Sequence, residues 1–159
     1  MCIRDSDGNH VRSKTMWFSP ACSIHIGEAL GLYHAIRWIH ELQFTNVDFE
    51  VDSKRVADYF NINGRGDVTE FGSIMESSIY FLNNHLTNSH VEFIRRQANE
   101  VAHNLAKAAT SSTSFQVFDD NCKQLRLVNY LYLTCHLLLT LFFWKESAFN
   151  ICARQIFII

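Results

Sequence analysis

The chain has 159 residues with a formal net charge of -2, of which 48% are hydrophobic and 19% charged. This length is enough for one domain with a substantial core and is short for two. The charge excludes a strongly basic protein, so any contact with nucleic acid has to come from a local basic cluster.

The cysteines and histidines do not form a recognisable framework. The 5 cysteines contain no CxxC pair, and the 8 histidines contain no HExxH or zinc-like spacing. No cleavable signal segment precedes them. We therefore predict reduced thiols, no structural zinc, and an intracellular location that is nuclear or cytoplasmic.

The first 18 residues predict a β-hairpin. Residues 5–9 read Asp-Ser-Asp-Gly-Asn, and this turn chemistry separates a short apolar start from a longer strand over 11–18. A strand of three residues that begins at Met1 is more naturally the end of a strand than a whole one.

Apolar residues recur with a helical period over residues 24–42, which predicts an amphipathic helix. Glu28 precedes Leu32 by four residues and Ile36 by eight, so it lies on the same face. Two readings stay open. The carboxylate complements the helix dipole and turns to water, or it is held against the sheet because a cation meets it there.

Apolar and acidic residues alternate over 47–51, which predicts a strand, and Ser53 is a candidate N-cap for a following helix. Asp52 then lies at the carboxyl end of the strand, the edge where open α/β sheets bind ligands. The alternative reading of Asp52 is a second N-cap. Further along, we predict a glycine-containing loop over 61–67, a helix over 70–86, a strand over 90–94 and an alanine-rich helix over 99–109. A mixed sheet with helices on its faces follows.

Four motifs, in this order, resemble the ribonuclease H type 1 fold and most closely its reverse-transcriptase-like, retroelement-derived branch common in plants. They are IRDSDGN, GEALGLYHAI, FEVDSKRVADY and FIRRQANEVAHNLAKAA. The resemblance covers residues 1–118. It implies a five-stranded mixed sheet and a nuclease that cuts the RNA strand of an RNA–DNA hybrid, using two Mg²⁺ (or Mn²⁺) ions held by acidic residues.

By this resemblance, Glu28 matches the acid on the family's first helix and Asp52 matches the acid at the end of its fourth strand. Two carboxylates about 5 Å apart would repel by roughly 3 kcal/mol at an effective dielectric near 20, so their pairing favours a divalent ion between them. Oxygen ligands favour Mg²⁺ or Mn²⁺ over zinc.

Two departures from the family pattern bear on activity. The family's first strand, which is central in its sheet and carries the first acid, has no counterpart, and Asp5 and Asp7 lie in a turn where they do not replace it. His103 stands on the closing helix where the catalytic branch has an aspartate; it either binds metal or moves a proton, or it has no such role. We therefore expect an incomplete ribonuclease H-like domain over 1–113 whose activity is weak or lost. The alternative is a non-catalytic nucleic-acid-binding or interaction module.

Candidate phosphate contacts lie at two predicted helix starts, where backbone N–H groups and basic side chains favour anions. They are Ser53 and Lys54 at one start and Arg95, Arg96 and Asn99 at the other. The alternative is ordinary solvated surface. Preference for a hybrid would need a contact to the RNA 2′-OH, which no residue identifies.

Residues 114–159 form a tail of atypical apolar composition. Its central segment begins at Leu127, ends at Trp144 and contains no charged residue. Three readings stay open: a membrane anchor, an apolar segment packed on the domain, or a non-native end produced by an altered reading of the gene, which we favour.

A sheet without its central strand would leave unpaired backbone groups on both sides of an open slot. Two β-prone tail segments could occupy the slot, namely 128–133 and 155–159. A strand over 47–51 with no partner on the side facing the hairpin would contradict this hypothesis.

Overall fold

The computed structural model describes residues 1–16, 21–62, 66–96, 116–119 and 155–158, and they form a mixed sheet with three helices. The strands lie in the order β4-β3-β6-β1-β2-β5. In chain order the elements are β1 (Cys2–Arg4), β2 (His10–Thr15), α1 (Ile24–Glu41), β3 (Val47–Val51), α2 (Lys54–Ile62), α3 (Glu70–His85), β4 (His90–Phe93), β5 (Gln116–Asp119) and β6 (Gln155–Ile158).

The predicted hairpin is confirmed, with β1 and β2 paired antiparallel. The Asp5 carboxylate organises the turn by accepting hydrogen bonds from the backbone N–H of Asp7 at 3.0 Å and of Asn9 at 2.7 Å. Gly8 has φ 83°, a backbone conformation that residues other than glycine rarely adopt. The turn therefore holds Asp5 in a local structural role, as its sequence context indicates.

Strands β3 and β4 are parallel, so their carboxyl ends meet at one edge of the sheet. The pairing continues past β4, because the Ile94 N–H donates to the carbonyl of Val51 at 2.9 Å. At the opposite edge, the Ser89 hydroxyl accepts from the Val47 N–H at 3.1 Å. These bonds fix which residues follow the two strands at the carboxyl edge.

Helices α1 and α3 run parallel to each other. Near their amino ends His25 contacts Phe71, with ring centroids 6.0 Å apart, and near their carboxyl ends His40 contacts Phe81 at 5.4 Å. Their apolar stripes pack with the apolar residues of β3, and the largest fully buried side chains include Leu32, Ile36, Ile39, Phe49 and Met75. The helical periodicity in the sequence is therefore the core-facing stripe.

Strand β6 lies in the central position of the sheet, between β1 and β3. It pairs antiparallel with β1 and parallel with β3. The hypothesis that residues 155–159 occupy the slot is thus confirmed for Gln155–Ile158, while the other candidate, 128–133, lies outside the described residues. Through β6, both β1 and β3 obtain ladder hydrogen bonds on the sides that face each other.

The tail also adds an edge strand that the sequence did not predict. Strand β5 pairs antiparallel with β2, so the sheet has six strands instead of the five implied by the resemblance. The predicted helix over 99–109 and the segment from Leu127 to Trp144 lie outside the described residues. Within the ranges that are described, no helix is long and apolar enough to cross a membrane.

Candidate nucleic-acid site

The side chain of Glu28 is tied directly to the end of β3. The Ser53 hydroxyl donates a hydrogen bond to Glu28 Oε2 at 2.6 Å, joining the second turn of α1 to the start of α2. Ser53 is 8% exposed, so the donor side of this partly buried bond to a charged acceptor is shielded from water. The structure shows the Glu28 carboxylate bonded at the end of β3 by the Ser53 hydroxyl; that a cation also meets it there stays a prediction.

Asp52 is the residue between β3 and α2 and is partly exposed. The next residue, Ser53, begins the helix, since its carbonyl accepts the Ala57 N–H at 3.1 Å. Because Ser53 also bonds Glu28, the residue that follows Asp52 ties the predicted helix acid to the carboxyl end of β3. The pairing of Glu28 with Asp52 is what the family resemblance implies, and it stays a prediction.

These two carboxylates suit one Mg²⁺ better than two. Mg²⁺ is commonly held by one or two carboxylates, with water and substrate phosphate completing its octahedron. A two-metal site needs more acids, and within the described residues no group of three or more His, Cys, Asp or Glu side chains could hold a metal. His103, the remaining predicted catalytic residue, lies outside the described residues.

Arg95 and Arg96 follow β4 at the same edge as Asp52, and both are exposed. Lys54 is also exposed, and its ammonium pairs with Asp58 at 2.7 Å, one helical turn later. A surface pair of this kind contributes little stability, so Lys54 can exchange Asp58 for a phosphate at small cost. Asn99, the last predicted contact, lies outside the described residues.

A cavity of about 460 Å³ lies beside this edge and was not predicted from the sequence. The Arg55 guanidinium sits 4.3 Å from the centroid of the Phe71 ring, and Tyr59 meets the same ring edge-to-face at 5.6 Å. The sequence places Phe71 in the core stripe of α3, which is right, since it is only 2% exposed. Phe71 also lines the cavity and contacts Arg55 and Tyr59. These contacts depend on how α2 packs against α3, which no local sequence pattern reveals.

A second unpredicted feature is an ion pair between the two halves of the sheet. The Arg4 guanidinium donates to both Glu50 carboxylate oxygens, at 3.0 and 2.9 Å, across β6. Burial raises the pKa of Glu50; Arg4 opposes this effect, and the nearby Glu92 and Asp48 add to it. This ion pair joins β1 to β3 across β6 and is separate from the candidate site.

Ser53→Ala tests whether the hydroxyl positions Glu28. We expect the free energy of unfolding to fall by about 1–2 kcal/mol, since a shielded hydrogen bond to a carboxylate is lost. Urea denaturation followed by circular dichroism measures it. Ser77→Ala on α3 is the matched control, because Ser77 is exposed and bonds only to the Ser73 carbonyl. Equal effects of the two substitutions would contradict the positioning role.

The mixed sheet with its helices is consistent with the ribonuclease H-like α/β fold. The sequence model of the reverse transcriptase-like family matches residues 1–109. The chain therefore belongs to the reverse transcriptase-like family. A search of curated proteins finds no match.

Proposed function

We propose that this chain is a nucleic-acid-binding ribonuclease H-like domain of the retroelement-derived plant branch. The activity of that branch, Mg²⁺-dependent endonucleolytic cleavage of RNA in RNA–DNA hybrids, is weak or lost in this chain. The observation that carries the proposal is the 2.6 Å hydrogen bond from Ser53 to Glu28, which brings the helix carboxylate to the strand end that bears Asp52.

The binding part of the proposal rests on charge at one sheet edge. Arg95 and Arg96 are exposed after β4, and Lys54 lies at the first turn of α2, where backbone N–H groups also favour an anion. A nucleic-acid backbone that follows this edge would meet these cations and pass the two carboxylates. Such contacts position a strand without reading its sequence, so we expect salt-sensitive binding.

The catalytic part concerns Glu28 and Asp52, which would hold one Mg²⁺ (or Mn²⁺). A bound ion of this kind lowers the pKa of a bound water and neutralises charge on a phosphate. Ser53 fixes the Glu28 carboxylate by donating to Oε2, which limits the directions from which that carboxylate can approach an ion. Two acids support little two-metal chemistry, which is why we propose a low activity.

A cleavage assay separates a weak nuclease from a non-catalytic module. The full chain is incubated with a labelled RNA–DNA hybrid and Mg²⁺ or Mn²⁺, beside Asp52→Asn and Glu28→Gln. We expect binding by all three proteins with little or no cleavage by the unsubstituted chain. Robust cleavage that Asp52→Asn abolishes would refute the claim of low activity and establish the nuclease.

The same proteins allow a direct test of binding. Replacing both Arg95 and Arg96 by alanine is expected to weaken hybrid binding several-fold and to reduce its salt dependence by about one unit of slope per lost phosphate contact. Arg37→Ala is the matched control, since Arg37 is exposed on α1 and stacks over Tyr33 at 5.9 Å. Unchanged affinity in the double variant would exclude this edge as the binding surface.

A further inference from the structure

Two histidines that are 45 residues apart in the sequence meet at the carboxyl ends of α1 and α3. His40 is the second-last residue of α1 and His85 is the last residue of α3. Their ring centroids are 5.0 Å apart, with planes inclined at 54°. Both side chains are exposed, and Phe81 contacts both rings, at 5.4 and 4.3 Å.

This separation is the one that two imidazoles adopt around a single metal ion. With metal–nitrogen distances of about 2.1 Å and a tetrahedral angle between the ligands, the two ring centroids lie about 5 Å apart. The two rings are therefore spaced so that one nitrogen from each can reach a common ion.

The backbone around the two histidines is fixed, so the pair is held in place. The His40 carbonyl accepts the Gln43 N–H at 2.9 Å, where the chain leaves α1 with a positive φ of 59° at Gln43. At the end of α3, the Leu86 N–H donates to the Leu82 carbonyl at 3.0 Å. Two ligands on well-ordered helix ends lose little freedom when they bind an ion.

The field of the helices also favours a cation at this place. Since α1 and α3 run parallel, their carboxyl ends and the partial negative charges of both helix dipoles lie side by side. Imidazole nitrogen suits Zn²⁺, Ni²⁺ and Cu²⁺, whereas Mg²⁺ prefers oxygen ligands. The site is thus chemically distinct from the Glu28 and Asp52 edge.

We propose that His40 and His85 form a surface binding site for a divalent transition-metal ion, with water completing its coordination. The site lies at the other end of α1 from Glu28, twelve residues or about 18 Å along the helix axis. It is independent of the proposed nucleic-acid function and joins the ends of two core helices. An ion bound there would stabilise the folded chain, because the unfolded chain does not hold the two rings together.

The test compares unfolding midpoints of the full chain in a chelator and in Ni²⁺, for the unsubstituted protein, His40→Gln, His85→Gln and the double variant. His90→Gln is the control, because His90 is an exposed histidine on β4 outside the pair. We expect Ni²⁺ to raise the midpoint of the unsubstituted and control proteins. His40→Gln and His85→Gln should each reduce the Ni²⁺-dependent shift by the same amount. The double variant should show no further reduction, because one site needs both rings.

The unfolding midpoints in chelator show how much stability each substitution removes in the absence of metal. Subtracting them leaves the shift in midpoint that Ni²⁺ causes. Equilibrium dialysis at room temperature then counts the bound Ni²⁺, and one ion fewer is expected in either single variant. A shift that persists in His40→Gln and His85→Gln would overturn the proposal. So would an equal loss in His90→Gln, which would show binding by histidines in general.

Discussion

Phe157→Pro is expected to lower the free energy of unfolding by about 3 kcal/mol or more, a large fraction of the stability of a domain of this size. Phe157 lies opposite Ile3 on β1 and Phe49 on β3, two fully buried positions. Proline removes a backbone donor from the centre of the ladder and leaves an acceptor unpaired on a flanking strand. Denaturation in urea, followed by circular dichroism, measures the loss.

The size of the effect follows from the topology. Among the strands that the structure describes, β6 alone connects the pair β3 and β4 to the group formed by β1, β2 and β5. A local defect in β6 therefore weakens its pairing with both β1 and β3. A defect in an edge strand weakens a single pairing.

Val117→Pro in β5 is the matched control, because β5 also comes from the tail but pairs with a single strand, β2, within the described sheet. Val117 is 53% exposed, and we expect a loss of about 1 kcal/mol or less. If both proline substitutions have the same small effect, β6 does not hold the sheet together.

Strand β6 also has a kinetic consequence. Its pairing with β1 brings Ile158 beside Cys2, so the central ladder joins the two ends of the chain. Contacts of such long sequence separation form slowly, because loop closure precedes the gain from pairing. The helices and the hairpin, whose contacts are local, can form before the sheet is complete.

Local rules explain what the sequence predicted well. The hairpin follows from the Asp5 to Asn9 turn, and α1 and α3 follow from apolar stripes that the structure buries. Asp52 was placed correctly at the end of β3 because the alternation of 47–51 stops there. Each of these inferences needs only neighbours within a few residues.

The features that were missed depend on pairs far apart in the chain. The bond from Ser53 to Glu28 joins positions 25 residues apart, and the Arg4 to Glu50 pair spans 46. Strand β5 has four residues, too few for a period to be visible, and its existence depends on the free edge of β2. The family resemblance implied the pairing of Glu28 with Asp52 but not the hydrogen bond from Ser53 to Glu28.

Arg4→Met is expected to lower the free energy of unfolding by about 3 kcal/mol at pH 7. The side chains of Arg4 and Glu50 are only 10% and 15% exposed, so the substitution leaves a carboxylate buried without its counter-charge. The matched control is Lys54→Met, which breaks an exposed pair with Asp58 and should cost under about 0.5 kcal/mol. Chemical denaturation of both variants at pH 7 gives the comparison.

The pH dependence of stability tests whether the unpaired Glu50 carboxylate causes the loss of stability in Arg4→Met. Burial already raises the pKa of Glu50 above 4.5, and removing Arg4 takes away the charge that lowers it. The folded state of Arg4→Met then binds a proton more readily than the unfolded state, so its deficit relative to the unsubstituted chain should shrink as pH falls from 7 toward 4.5. A deficit that stays constant with pH would exclude Glu50 as its source.

Replacing both members of the pair completes the argument. In Arg4→Met combined with Glu50→Leu, neither member of the pair leaves its former partner as an unpaired buried charge, and apolar side chains replace both. We expect stability within about 1 kcal/mol of the unsubstituted chain, and most of the pH dependence of Arg4→Met should disappear. Recovery would mean that the pair adds little net stability, because the cost of desolvating two charges offsets their attraction. A double variant as unstable as Arg4→Met would instead show that the ion pair itself holds β1 and β3 across β6.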